Sequence, residues 1–307
     1  MKKRKVYAGE VHHICQMTVG KVVIFYSVAD YLVFFTIYCT FAERYEVDVL
    51  ALCPMPDHIH CVVIVRNAQQ LAKFVAGYTR EFAHLWNKSR RRKGFLFQHN
   101  YQSAVKMGAK QVRTVITYNY NNPVERQIVK RADEYRWNYL AYAKTATPFS
   151  VSNHSERTFL RTAKKEVRMC RERGDYLNHA QIERLLSKLT LEERHALIDY
   201  IVGLWNVIDY ARAISYYGSL ETMKRAFQDN TGGEYDIKED RDNYSDAVYS
   251  DCTRILLSEK MVLSVYEIPT LPMEKKQQMY RILRQRTSAK AKQLRKYLHI
   301  ADHELLD

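Results

Sequence analysis

The chain has no Cys-x-x-Cys pair. Its six cysteines, Cys15, Cys39, Cys53, Cys61, Cys170 and Cys252, lack the even spacing of a small disulfide framework and read as reduced, mostly buried thiols. No apolar run reaches the roughly 20 residues of a membrane span. The most apolar window, Tyr31 to Ala42, reads instead as a core helix. The basic start Met1-Lys2-Lys3-Arg4-Lys5 leads into Glu10, His12 and His13 rather than an apolar stretch, so no signal peptide and a cytoplasmic, nucleoid-associated location are expected. Internal repeats and low-complexity tracts are absent. What is present is a chain of 307 residues, 47% hydrophobic, long enough for one catalytic domain with a sizeable core and an appendage. A formal charge of +14 favours a polyanionic partner, since each phosphate neutralised releases a condensed counterion.

Patterning divides the chain in two. Val11 to Thr18 reads as a strand, Gly20 to Ser27 as irregular, and Asp30 to Tyr45 as a helix. Val47 to Cys53 and His58 to Val65 read as neighbouring antiparallel strands broken by Pro54-Met55-Pro56, and Leu71 to Asn87 as an amphipathic helix ending in a basic run. An aromatic extended stretch, Phe95 to Val105, precedes a helix from Lys110 that Pro123 is expected to stop. The order suits an α+β domain with helices covering one face of an antiparallel sheet. Ala146 to Ser155 is the linker candidate, giving domains 1–148 and 149–307, the second all-α. There Thr190-Leu191-Glu192-Glu193 fits a capping box, Gln228 to Asp246 reads as a loop, and 273–300 reads as a helix-turn-helix whose second helix, Ala289 to Leu298, carries Lys290, Lys292, Arg295 and Lys296.

Residues two apart on a strand share a face, so His58 and His60 present paired imidazoles, half a site for a divalent cation. Cys61 falls on the opposite face, which argues against a zinc site built from the cysteines. A second half comes from Thr117-Tyr118-Asn119-Tyr120-Asn121-Asn122-Pro123-Val124. On a helix Tyr118 and Asn122 lie one turn apart on one face, with Tyr120 nearly opposite. Tyr118 can then supply a phenolic nucleophile and Asn122 an amide oxygen, although a residue before proline disfavours the helical region. The competing reading makes these tyrosines core aromatics, in a chain with 23 of them.

The ordered segments Leu52 to His60, Phe95 to Ser103, Tyr118 to Val124 and Tyr135-Arg136-Trp137 resemble the REP-associated tyrosine transposases, within the insertion-sequence group of HUH nucleases, over roughly residues 11–142. The resemblance implies a ferredoxin-like HUH fold, His58, His60 and Asn122 as ligands of Mg²⁺ or Mn²⁺, and Tyr118 as nucleophile. It further implies single-stranded or hairpin DNA as partner, and it is compatible with a homodimer. The implied reaction is cleavage of single-stranded DNA through a 5′-phosphotyrosine and rejoining to another 3′-hydroxyl. Two positions depart from the pattern: Asp57 stands where the family usually has Asn, and Tyr120 where it often has His. Lys88, Arg90, Arg91, Arg92 and Lys93 are the expected phosphate contacts, with Phe95, Phe97 and Tyr101 either stacking bases or packing in the core. No general base is evident. The rival reading is a regulator that keeps the fold and binds nucleic acid without cutting it.

Overall fold

A computed structural model describes residues 5–151, 157–229, 237 and 244–301. Strands β1 (Val11–Met17), β2 (Asp48–Met55), β3 (His58–Ile64) and β4 (Gln102–Lys106) form one sheet in the order β2-β3-β1-β4, every neighbouring pair antiparallel. With α1 (Val28–Arg44) between β1 and β2, and α2 (Ala68–Ser89) between β3 and β4, this is the β-α-β-β-α-β arrangement of the ferredoxin-like fold. Strand β2 runs through Pro54 to Met55, because the proline lies at an edge of the sheet where a missing N–H is tolerated. The aromatic stretch from Phe95 contributes only an isolated bridge, Thr18 to Phe97, before β4 begins at Gln102.

Helix α1 starts at a capping box in which Ser27 accepts from the Asp30 amide and Asp30 reaches back to the Ser27 amide. It is apolar nearly all round and buried along most of its length, as a helix with no polar face must be. Helix α2 is amphipathic and sets Leu71, Phe74, Tyr78, Phe82 and Trp86 into the same core. The two helices approach closely at Gly77, where an added Cβ would sit 2.5 Å from Cδ1 of Phe41. Ile14, Leu52, Ile59, Cys61 and Val63 pack from the sheet into this layer. All six cysteines are free and buried.

The opposite face is not left to solvent. Helix α3 (Gly108–Glu125) lies over it, packing Val112, Val115, Ile116 and Tyr120 against Leu50, Ala51, Val62 and Ile64. The expectation of helices on one face therefore holds for α1 and α2, and α3 is an addition on the other. Pro123 does not stop α3, which continues to Glu125. A proline near the C-terminal end removes only one ladder bond, and the buried contacts of the preceding turns hold the backbone helical through Asn122, whose carbonyl accepts the Arg126 amide at 3.0 Å.

Past residue 143 the described residues form helices α4 (Thr158–Glu172), α5 (His179–Ser187), α6 (Leu191–Trp205), α7 (Tyr210–Ser215), α8 (Leu220–Gln228), α9 (Val248–Ser258), α10 (Met273–Arg286) and α11 (Ala291–Leu298). The capping box at Thr190 is present, with Glu193 as its partner. These helices share cores with the sheet domain. Leu160, Val167, Ile182, Leu197, Ile201 and Trp205 join the α1–α2 layer, while Ala213, Tyr217, Met223 and Phe227 join the α3 layer. Helices α9 to α11 pack around Val23, in the segment between β1 and α1. Of the linker candidate, 152–156 lie outside the described residues, and Phe149 and Ser150 before them donate to Asp199. Of the Gln228–Asp246 loop, 230–236 and 238–243 also lie outside them.

Candidate active site

The strand period decides which side chains meet under α3. In the register of the sheet Met17 and Met55 oppose His58, Cys15 and Cys53 oppose His60, and His13 opposes Val62. Opposed residues share a face, so His13, His58 and His60 stand together on the α3 side. The rings of His58 and His60 lie 4.8 Å apart between centroids and nearly perpendicular. His13 stacks on His60 at 5.1 Å. Tyr118 descends from α3, its ring centroid 5.6 Å from that of His60 and 5.8 Å from that of His13, in edge-on arrangements. All four side chains are buried. The structure thus brings together His58, His60 and Tyr118, and adds His13, which the sequence reading passed over. Its signal was available in the alternation of β1, where His13, Cys15 and Met17 share a face.

Each histidine of the pair is oriented through its Nδ1. Asp57 Oδ1 accepts from His58 Nδ1 at 2.6 Å, and His60 Nδ1 lies 3.0 Å from His13 Nε2. A ring whose Nδ1–H is held by a carboxylate or a second imidazole keeps its lone pair on Nε2, which is how metal-ligating histidines are commonly fixed. Asn122, one helical turn beyond Tyr118, is buried, and its amide Nδ2 has no hydrogen-bond partner among the described residues. Amide nitrogen and oxygen are interchangeable by a flip. The donor chemistry therefore fits a divalent cation held by two imidazole nitrogens and one amide oxygen. Among the described residues no three His, Cys, Asp or Glu side chains form a metal-holding group.

Tyr120, the other phenol, is separated from this group. It is fully buried, packs on Phe227 and donates to the Leu50 carbonyl at 3.3 Å, and burial drives its pKa well above the ordinary value.

Asp57 has a second partner that only the tertiary structure reveals. Lys296 of α11 donates to its Oδ2 at 2.8 Å. Burial opposes ionisation of Asp57, but the neighbouring His58 and Lys296 outweigh it and hold the carboxyl well below its ordinary range. The turn around Asp57 is anchored to the β1–α1 segment as well: Thr18 Oγ1 donates to the Asp57 carbonyl and the Ile24 amide to the Pro56 carbonyl. That segment is in turn tied to α11, since the Val23 amide donates to the Lys296 carbonyl at 3.0 Å and His299 Nε2 to the Val23 carbonyl at 2.7 Å.

The basic run splits. Lys88, Arg91 and Lys93 are exposed, and Arg92 is half-buried, donating to Asn87 and to the Phe95 carbonyl. Arg90 is not a phosphate contact. It is 2% exposed, stacks between Trp86 and Tyr266, and donates to Asp30 Oδ1 at 2.6 Å, an acceptor it shares with His179. One turn past the last buried aromatic of α2, the chain folds back and carries Arg90 inward. The aromatics split too: Phe95 is 83% exposed, whereas Phe97 and Tyr101 pack in or against the core. In the helix pair near 273–300, α11 turns Gln293, Leu294, Lys296 and Tyr297 inward, so Lys296 is unavailable as a DNA-reading residue.

Compared with known proteins, residues 5–122 match the family model described as transposase IS200 like. No curated protein matches the chain by sequence. Among solved structures, one described as a REP-associated tyrosine transposase bound to a REP hairpin superposes with a TM-score of 0.41 at 12% identity, covering 52% of this chain and 94% of that one. No described helix is long and apolar enough to cross a membrane.

Proposed function

We propose, for a chain whose residues 5–122 belong to the IS200-like transposases, that it cuts and rejoins single-stranded DNA with Tyr118 as nucleophile. The observation that carries the reading is the meeting of Tyr118 with His58 and His60 on one face of the sheet. His58, His60 and Asn122 are the residues that would hold Mg²⁺ or Mn²⁺, which when bound supplies Lewis-acid polarisation of the scissile phosphate. Asp57 and His13 keep the two imidazoles in the ligating tautomer. The Tyr118 oxygen attacks phosphorus, the bond to the 3′ oxygen breaks, and the products are a 5′-phosphotyrosine and a 3′-hydroxyl. Attack by another 3′-hydroxyl reverses the step and returns the phenol, so strands rejoin without an external energy source. Burial of the tyrosine beside the His13 and His60 imidazoles excludes bulk water, which protects the covalent intermediate from hydrolysis.

The substrate is unpaired where it is cut, because a flexible strand can reach a site that a duplex cannot, and the exposed cations Lys88, Arg91 and Lys93 are assigned as its phosphate contacts. The hairpin seen with the structural neighbour supplies the substrate to try first. Residues 1–148 would carry the chemistry and 149–307 support it. The test is incubation with hairpin-flanked single-stranded DNA and Mn²⁺, comparing wild type with Tyr118→Phe. A covalent adduct is expected for wild type alone. An adduct that survives in Tyr118→Phe refutes the nucleophile, and binding without any adduct in either protein favours the non-cutting regulator.

A further inference from the structure

The turn joining β2 to β3 has a second neighbour besides Lys296. A cavity of about 290 Å³ opens beside Pro56, between the sheet domain and the C-terminal helices α9 and α11. Its walls are largely aromatic. Tyr31 stacks on Trp137 with ring centroids 4.5 Å apart and on Phe25 at 4.6 Å, and Tyr249 of α9 stacks on Tyr297 of α11 at 5.9 Å. No Lys or Arg is among the described residues that line it, so the walls suit an uncharged ring rather than a phosphate. The volume lies just below the roughly 300 Å³ at which sites for drug-sized ligands begin, which leaves room for a single small ring system.

Most polar groups in these walls are already satisfied. Tyr31 Oη and Tyr135 Oη lie 3.2 Å apart, Tyr135 donates to the Pro54 carbonyl, and Thr253 Oγ1 lies 2.8 Å from Tyr297 Oη. Two groups are not. The Tyr249 hydroxyl is buried without a hydrogen-bond partner among the described residues. Asp246, 7% exposed, accepts from Gln293 Nε2 at 3.0 Å through Oδ1, and its Oδ2 has no partner among the described residues. Burial and the nearby Asp57 raise its carboxyl above the ordinary range, a cost that N–H donors entering the cavity would relieve.

Position ties the cavity to the reaction. Pro56 in its wall precedes Asp57, which holds His58, and Ile128 in its wall donates through its amide to the carbonyl of Pro123, next to Asn122. We infer that the cavity takes one unpaired base of the single strand, stacked on these rings, and prefers a base whose exocyclic amino group can donate to Asp246. This rests on the nuclease reading above and deepens it, because it makes the C-terminal helices readers of sequence near the cut.

The test uses the full chain in EDTA, so that nothing is cut, and measures anisotropy of a labelled hairpin whose single-stranded arm is all dC, all dT or abasic. Every arm keeps its phosphates, so attraction to the backbone is held constant. Wild type should bind the dC arm about tenfold more tightly than the dT arm, the discrimination of one good base contact, and the abasic arm most weakly. Of the three tryptophans, Trp86 and Trp205 are fully buried and Trp137 is half-buried. The dC arm should therefore quench tryptophan fluorescence in wild type and not in Trp137→Phe. Ser250 is exposed at the rim, and Ser250→Phe should block entry and bring the dC arm down to the dT level. Mn²⁺ binding by that variant alone, read by electron paramagnetic resonance, should not change. Asp246→Asn should cut the preference to about threefold or less, since a neutral acceptor makes a bond about half as strong as a charged one. Wild type that binds none of the three arms sinks the nuclease reading together with this one. Wild type that binds all three arms equally, or a tenfold dC preference that survives in either variant, overturns the base site alone. Quenching of Trp137 by trimethyllysine as strong as that by the dC arm also overturns it, in favour of a cationic ligand in an aromatic cage.

Discussion

Replacing Lys296 with methionine tests whether the C-terminal helix supports the histidine site. The Lys296–Asp57 pair joins positions 239 apart in sequence. Its side chains are only 9% and 6% exposed. Breaking such a buried pair from one side costs about 3–5 kcal/mol, because the surviving charge is left in a low-dielectric site. Asp57 keeps the His58 bond, so Lys296→Met belongs near the lower end, about 3 kcal/mol. Asp57→Asn is expected to cost a similar amount, since it strips the carboxylate from a buried ammonium. The double variant has no buried charge left to compensate, so its loss should fall short of the sum by about 2–3 kcal/mol. Urea midpoints of the four proteins measure that coupling. Titration with Mn²⁺ should show either single variant binding about 10–100-fold more weakly, the usual effect of removing a group that orients a ligating histidine. Losses that add within about 0.5 kcal/mol would refute the pairing as an energetic unit.

Three further outcomes follow from the geometry. Tyr120→Phe should cost about 1 kcal/mol for its bond to Leu50 and leave adduct formation intact; loss of the adduct would reassign the nucleophile. His13→Ala should lower Mn²⁺ affinity by about 10–100-fold without abolishing DNA binding, and an unchanged affinity would show that His60 needs no orienting partner. Burial raises the Asp30 carboxyl, but Arg90 and His179 overcome it and hold the group at about 2. Because the folded value lies below the unfolded one, this contribution is complete above about pH 4 and is lost as the pH falls toward 2. It is on the order of 2 kcal/mol. Urea unfolding between about pH 5 and 2 should therefore lose less stability in Asp30→Asn than in wild type, from a lower starting point; parallel curves would contradict the ion pair.

Much of the sheet domain could be read directly. Period-two alternation places His58 and His60 on one face and Cys61 on the other, and helical spacing puts Tyr118 and Asn122 together with Tyr120 opposite. These are local facts of backbone geometry, independent of what packs nearby. Pro123 misled for the same reason: the local preference of the residue before proline favours a stop, and the contacts of α3 with the sheet prevail over it. Arg90 is a similar case. A run of basic residues looks uniform in sequence, yet one of them lies beneath Trp86 and Tyr266 with Asp30 as its partner.

By itself the sequence determined the element order, the faces of the strands and of α3, and the chemical types available for a metal and a nucleophile, because each follows from spacing along a regular backbone. Only the tertiary structure decided that His13 braces His60 and that Asp57 is shared between His58 and Lys296 of α11. Those contacts join segments far apart in the chain. Their partners are chosen by how sheet and helices stack, a choice that no local pattern encodes.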